Sequence, residues 1–442
     1  MGKYQWHLFC LAGFGYTCDQ VLAGLMLGST FWGLGADLIG RKIAFNTTLL
    51  ISSIFGLSAG GSPNFLAACC LLACCGFELG GNMPVDSIIF LEFLPSSHGY
   101  LLELFTVWWA VGQFIPAFAL WGLISNFSSS ADTPAGECQR ADNMGWGYLL
   151  FTMGALTMVA WILRFFCFNL QESPKYLVAE RRYSEAIKVL ETVAAYNGTT
   201  QSLQVTDLEA VEHNSPIPNT TQRKATLARA TELVNPAATI DHLRGLCATK
   251  EMTLSFFMVL LLWGMIGMAN PIYNSFLPVY LAIHGAQSGD KRIPTTYRNL
   301  FITVICSIPG TVLGAWLINV RKIGRKGTLG VSLLLTGSFL FAFTTARTQG
   351  TILAFNCIIS FTQFTIWGAL YCYTPEVFPS IHRGTGTGLA AAFNRLCGLS
   401  GALITTYSGF TNVPPYIGAA MWLGADLLSF ALTFATRNKA SL

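Results

Sequence analysis

The sequence predicts an all-α polytopic membrane protein, and three observations carry that prediction. Of 442 residues, 52% are apolar and only 11% are charged, with a mean hydropathy of +0.50; a water-soluble chain of this length carries about 25% charge. Apolar runs of about 20 residues, the length of one helical crossing of the hydrocarbon core, recur along the chain. Short polar or Gly/Pro-bearing links separate these runs, and backbone groups in lipid must be satisfied internally, so the runs are helices rather than strands.

In chain order the runs fall at 21–40, 43–61, 64–91, 100–125, 147–168, 254–283, 299–320, 328–346, 351–373, 385–407 and 415–436, which makes eleven full spans. Residues 5–18 are apolar too but supply roughly two-thirds of a crossing. The stretch 5–40 is too short for two crossings and a turn, and too long for one. It reads as an incomplete first span, carrying Asp19, that abuts the second.

Counting spans places Arg41, Lys42, Lys175, Arg181, Arg182, Lys188, Arg321, Lys322, Arg325, Lys326, Arg383, Arg437 and Lys439 on one face. Loops rich in Lys and Arg stay cytosolic, so that face is the cytosolic one. Lys291, Arg292 and Arg298 fall opposite and run against the trend. The start lacks the basic end and small-residue cleavage site of a signal peptide. Nearly all of the 13 cysteines lie inside spans, where a thiol behaves as a small hydrophobe, and no disulfide framework is implied. The sequon at Asn126 is external; those at Asn197 and Asn219 are cytosolic and are expected to stay bare.

The domain division follows: an N-terminal bundle over 1–168, a cytosolic linker over 169–252, a six-helix C-terminal bundle over 253–436 and a tail over 437–442. In the linker, Ala186, Val189, Leu190 and Val193 share one face of an amphipathic helix over 183–195. Residues 198–235, rich in Thr, Asn and Pro, read as a flexible connection.

The chain also repeats itself. Gly40, Arg41 and Lys42 recur as Gly324, Arg325 and Lys326, and Glu92, Pro95, Ser96 and His98 recur as Glu376, Pro379, Ser380 and His382 at the same offset. Two motifs with one offset indicate two parallel copies of a multi-span unit, the plan by which transporters rock one bundle against the other around a midplane site.

Three motifs carry a family resemblance. The run Gly33-x-x-x-Asp37-x-x-Gly40-Arg41-Lys42 resembles the loop signature of the major facilitator superfamily. Glu172-Ser173-Pro174-Lys175-Tyr176-Leu177 is similar to a sugar-porter segment, and Thr374-Pro375-Glu376-Val377-Phe378-Pro379-x-x-x-Arg383-Gly384-x-Gly386 to that branch's "PExxPxxxRGxG". With Asn394-Arg395 they most resemble fungal transporters related to the synaptic vesicle glycoprotein group. The sequence departs from the sugar-porter pattern at Leu72, Glu78 and Gly147, and its second loop signature is degenerate around Asn319 and Arg321.

The resemblance implies the two-bundle fold of that superfamily. It also implies that Glu92, Glu172, Glu376 and Arg383 join Asp37, Arg41 and Lys42 in a charge network closing the cytosolic side. Simple positive-inside anchoring is the alternative for Arg41 and Lys42. A charge near the bilayer centre costs about 2.5–3.5 kcal/mol, so Asp19, Glu78 and Asp86 are candidates for proton coupling. For Asp86, a charge at the cytosolic helix end is the alternative. Gln113, Asn270, Tyr273, Asn274, Gln363, Trp367 and Asn394 are candidate solute contacts, with interhelical hydrogen bonding as the alternative for each. Trp108 and Trp109 read as packing residues.

These features predict a secondary transporter of a small organic solute, sugar-like or an organic acid or ion, that is proton-coupled, monomeric, cofactor-free, embedded in the lipid bilayer of the plasma membrane and without nucleic-acid partners. No GxxxxGK[ST] loop is present for ATP drive. The six histidines form no ligand-spaced cluster, which speaks against an enzyme. A non-transporting sensor with an incomplete first span is the other reading.

Overall fold

A computed structural model describes residues 22–95, 98–127, 144–167, 170–213, 243–285, 293–320, 322–346, 348–380, 382–407 and 413–432. The incomplete first span and Asp19 lie outside them, as do Asn219, Lys291, Arg292, Arg321, Arg437 and Lys439.

In the first bundle the long helices are α1 (Leu22–Leu38), α2 (Arg41–Gly60) and α3 (Phe65–Phe93), then the short α4 (Tyr100–Leu104), α5 (Val107–Phe127) and α6 (Gly145–Ile162). Three short helices follow: α7 (Pro174–Ala179), α8 (Tyr183–Asn197) and α9 (Val205–His213). The second bundle holds α10 (Lys250–Gly285), α11 (Ile293–Asn319), α12 (Gly324–Phe343), α13 (Gln349–Val377), α14 (Arg383–Tyr407) and α15 (Val413–Ala431). Among the described residues there is no strand, and eight helices are long and apolar enough to cross a membrane by length and composition.

The structure refines three expectations. The run at 100–125 is two helices, because the chain tightens at Phe105–Thr106: the Trp108 and Trp109 amides donate three residues back, to the Phe105 and Thr106 carbonyls, and the Thr106 hydroxyl donates to the Glu103 carbonyl at 2.8 Å. The run at 147–168 ends in a π-helical turn, Leu163–Cys167, which carries Arg164 inward. Within the expected flexible connection, Val205–His213 is helical, and its start is tied by the Asp207 carboxylate accepting from the Gln204 amide at 2.8 Å. The amphipathic α8 buries Ala186, Ile187, Val189 and Val193 and stops at Gly198, whose φ of 72° supplies a left-handed cap.

Within the first bundle α1 packs on α3, and α2 on α3 and α6; within the second, α10 packs on α14 and α15, α11 on α13, and α12 on α13 and α15. The bundles meet along two seams, α1 against α14 and α5 against α11. At the first seam the backbones nearly touch. A Cβ on Gly33 would sit 2.7 Å from the Gly384 carbonyl oxygen and 2.8 Å from the Gly388 Cα, so only glycine permits this approach.

Candidate functional site

At the end predicted to face the cytosol, the two repeat motifs form the same contact twice. Arg41 pairs with Glu92 at 3.0 Å, and their repeat counterparts Arg325 and Glu376 pair at 2.5 Å. The copies are not equally wet: the Arg41 and Glu92 side chains are 1% and 0% exposed, those of Arg325 and Glu376 11% and 8%.

Arg41 is the hub of the first pair. Its guanidinium also lies 3.5 Å from Asp37, donates to the Ser380 carbonyl at 2.8 Å and stacks 4.3 Å over the Tyr176 ring. Glu92 in turn faces Arg383 of the second bundle at 3.5 Å. Asp37 accepts from the Gly384 amide at 3.1 Å, the Thr385 amide at 2.7 Å and the Thr385 hydroxyl at 2.9 Å. A carboxylate of one bundle thus caps a helix of the other, where unsatisfied amides and the helix dipole favour negative charge.

Glu172 reaches this layer from the linker. It accepts from the Arg41 and Lys42 amides at 3.1 and 3.4 Å and from the Ser173 amide at 3.1 Å, capping α2. Gly40 makes room for it: its φ is 108°, and a Cβ there would lie 2.7 Å from the Glu172 Oε2. Burial pushes the Glu172 carboxyl above the ordinary glutamate value, while Arg41 pulls it down. Pro174 opens α7 behind the Ser173 cap, which accepts from the Tyr176 amide at 3.2 Å. Burial and the Arg383 charge lower the Lys175 ammonium, against Glu92 and Glu376. Lys326, which follows Gly324 (φ 58°), donates to the Leu432 carbonyl and so tethers the end of α15. Pro379 accepts through its carbonyl from the His382 amide at 3.0 Å, bending the link that presents Arg383.

Farther along the helices lies an aromatic layer. Trp109 of the first bundle meets Trp367 at 5.5 Å, Phe364 at 5.5 Å and Tyr371 at 6.5 Å, and Trp263 meets Tyr371 at 4.9 Å. Trp263 donates to the Thr374 hydroxyl at 2.8 Å, and Asn394 donates to the Trp263 carbonyl at 2.7 Å. The Tyr371 hydroxyl reaches the Met83 sulfur at 3.7 Å, and the Cys372 thiol donates to the Gly99 carbonyl at 3.7 Å, both across the interface. Trp367 lies nine residues before Glu376 on α13, about 14 Å of helix from the charged end and roughly half the thickness of a 30 Å hydrocarbon core.

Amides follow one or two turns outward. Gln363 donates to Asn270 at 3.0 Å, and Gln113 is half-buried one turn beyond Trp109. Tyr273 donates to Asn356 at 2.5 Å within the second bundle. The Asn274 side chain lies outside the described residues.

The described acidic candidates occupy a different place. Asp86 is fully buried and pairs with Arg164 at 3.0 Å; that guanidinium also donates to the Phe45 carbonyl at 2.8 Å and stacks 3.4 Å over the Phe45 ring. No motif marks Arg164: it lies near the end of the apolar run 147–168, where an arginine reads as a boundary charge. Glu78 is 3% exposed on the α3 face toward Trp32. Glu103, singled out by no motif, is fully buried between the bundles.

A family model described as "Sugar (and other) transporter" matches residues 13–437. The chain is 42% identical to the MFS siderochrome iron transporter 1 of Ceriporiopsis subvermispora (strain B), covering 100% of this chain and 89% of that one. It is 25% identical to the niacin transporter NiaP of Acinetobacter baylyi (strain ATCC 33305 / BD413 / ADP1), over 89% of this chain and 78% of that one. Among solved structures, the proton:xylose symporter XylE bound to 6-bromo-6-deoxy-D-glucose superposes with a TM-score of 0.72 at 14% identity, covering 99% of this chain and 98% of that one.

Proposed function

Because the chain belongs to the sugar (and other) transporter family of the major facilitator superfamily, we propose that it moves a small organic acid or ion across the membrane by alternating access, driven by protons. The observation that carries this reading is the closed charge layer beneath the aromatic layer: Asp37 and Arg41 of one bundle bind Thr385 and Ser380 of the other. Those contacts hold one side shut and can be exchanged for an opening on that side only by parting the bundles.

Flat indole faces beside the Asn270 and Gln363 amides suit a planar ring with a polar edge better than a hexose, whose hydroxyls each ask for a partner. The niacin transport named for one relative supports that choice. Asp19, Glu78 and Asp86 are the proposed coupling carboxylates, and the solute contacts proposed are Gln113, Asn270, Tyr273, Asn274, Gln363, Trp367 and Asn394. The protein acts as a monomer in the plasma membrane.

The test is uptake into proteoliposomes of the full chain with an imposed proton gradient, using labelled nicotinate and labelled xylose. Nicotinate accumulates above its external level and xylose does not. If neither enters, the sensor reading replaces transport; if nicotinate equilibrates without accumulating, the proton drive fails.

A further inference from the structure

Glu103 lies in the first turn and a half of α4, with its side chain directed into the second bundle. It is 0% exposed, and among the described residues neither carboxylate oxygen has a hydrogen-bond partner. Two glycines of the other bundle make the space it fills. A Cβ on Gly314 of α11 or on Gly368 of α13 would run into its Oε1, and the one on Gly368 would also lie 3.0 Å from its Oε2.

The charged and titratable groups around it are few. From α12, Arg325 is the cation that acts on it, and that guanidinium is engaged by Glu376 at 2.5 Å. From α13, Cys372 and Glu376 face the same region; α11 presents Gly314. The neighbouring Thr106 hydroxyl donates to the Glu103 backbone carbonyl and not to its carboxylate. At 0% exposure and with no donor on either oxygen among the described residues, a charged carboxylate costs far more here than a neutral carboxyl.

Its position also fixes where a proton can come from. Trp109 and the aromatic layer stand six residues outward on the same stretch of chain, and the charge layer of Arg325 and Glu376 lies on the cytosolic side. Parting α4 from α11 and α13 therefore opens Glu103 to the cytosol.

We propose that Glu103 is a proton-binding site: its carboxylate takes one proton from the cytosol when the bundles close over it, forming the neutral acid, and returns that proton to the cytosol when they part. The proposal rests on the alternating-access reading but not on a proton-driven cycle, since this proton enters and leaves on one side. It makes closure of the cytosolic side favoured by cytosolic acid.

The experiment uses the full chain in lipid nanodiscs, in a cysteine-free background with spin labels at Ile43→Cys and Lys322→Cys, two exposed positions on opposite bundles. Pulsed electron resonance reads the label distance across a pH series. One linked proton changes the closed-to-open ratio by about tenfold per pH unit in the window where the closed state holds the proton and the open state does not, and Glu103→Gln, which copies the neutral acid, stays closed and loses that slope. Infrared spectra of the closed protein then lose a neutral-carboxyl C=O band in Glu103→Gln.

A Glu103→Gln protein that follows pH as the wild type does, with the band intact, overturns the proposal. Should that variant fail to fold, Glu103→Asp must shift the midpoint, and an unmoved midpoint overturns the proposal as well. Labels that never separate in the wild type at any pH sink both the proposal and alternating access; labels that separate without regard to pH sink only the proposal.

Discussion

The Asp37 carboxylate, on the last turn of α1, accepts the Thr385 amide at 2.7 Å on the first turn of α14, so one bundle supplies the helix cap of the other. The sequence repeat gives this contact no twin: the position 284 residues after Asp37 is Arg321, which cannot accept. On the twin side, among the described residues, the Cys372 thiol joins the bundles through the Gly99 carbonyl, while the Arg325–Glu376 pair stays within the second bundle.

Replacing Asp37 by Ala removes acceptors from two amides and a hydroxyl. Hydrogen bonds to a charged group contribute about 1.5–3 kcal/mol each, which sets an upper scale of roughly tenfold to a hundredfold on the closed-to-open ratio for one such bond. The label pair at 43 and 322 is expected to show a larger open fraction at neutral pH. An unchanged distance distribution would remove Asp37 from the latch.

Arg41→Lys is expected to destabilise more than Arg325→Lys. Arg41 holds Glu92, Asp37, the Ser380 carbonyl and the Tyr176 ring at once, a set that a planar guanidinium can satisfy and a point-charge ammonium cannot. Breaking a buried pair costs about 3–5 kcal/mol, and the partly wet Arg325 site recovers some of that from solvent. Thermal unfolding of the two purified variants orders them; equal losses would refute the difference in burial as its cause.

Glu172 predicts a pH dependence of stability. Its carboxyl is raised in the folded protein, first by burial, so the folded state binds the proton more tightly than the unfolded chain. Its contribution is full below the ordinary glutamate value and is lost as pH rises through the raised folded value. Glu172→Gln keeps one acceptor for the α2 amides and removes that slope. Unfolding temperatures measured across this acidic window converge or diverge accordingly, and parallel curves for wild type and variant would contradict the assignment.

The Gln363–Asn270 bond separates a solute contact from a strut. A strut alone couples the two residues by about 0.6 kcal/mol in stability and leaves transport parameters untouched. For a solute contact, Gln363→Leu raises the KM for nicotinate by about tenfold, equivalent to 1.4 kcal/mol, with the maximal rate kept. Double-mutant cycles in both stability and uptake read the two terms.

What the sequence disclosed followed from physics that is local along the chain. Apolar length marked the long helices, and the shared offset of Arg41 and Arg325 with Glu92 and Glu376 anticipated paired contacts, because one motif folded twice makes one geometry twice. The partners that cross between bundles were not legible. Thr385 carries no sign that its amide is bound by Asp37, and Glu103 sits in YLLELF with Thr387 at its repeat position, so neither periodicity nor duplication marks it. Arg164 was hidden for a related reason: a π-helical turn, not composition, aims it at Asp86.

Cys372, wedged against the Gly99 carbonyl with no exposed surface, has a use of its own. An alkylating reagent added from the cytosol can reach that sulfur only during excursions in which α4 and α13 separate, while the exposed Cys247, outside the spans, reacts regardless. The unmodified chain thus carries a stopwatch for its own breathing, read as the ratio of two peptide masses over time and needing no engineered reporter.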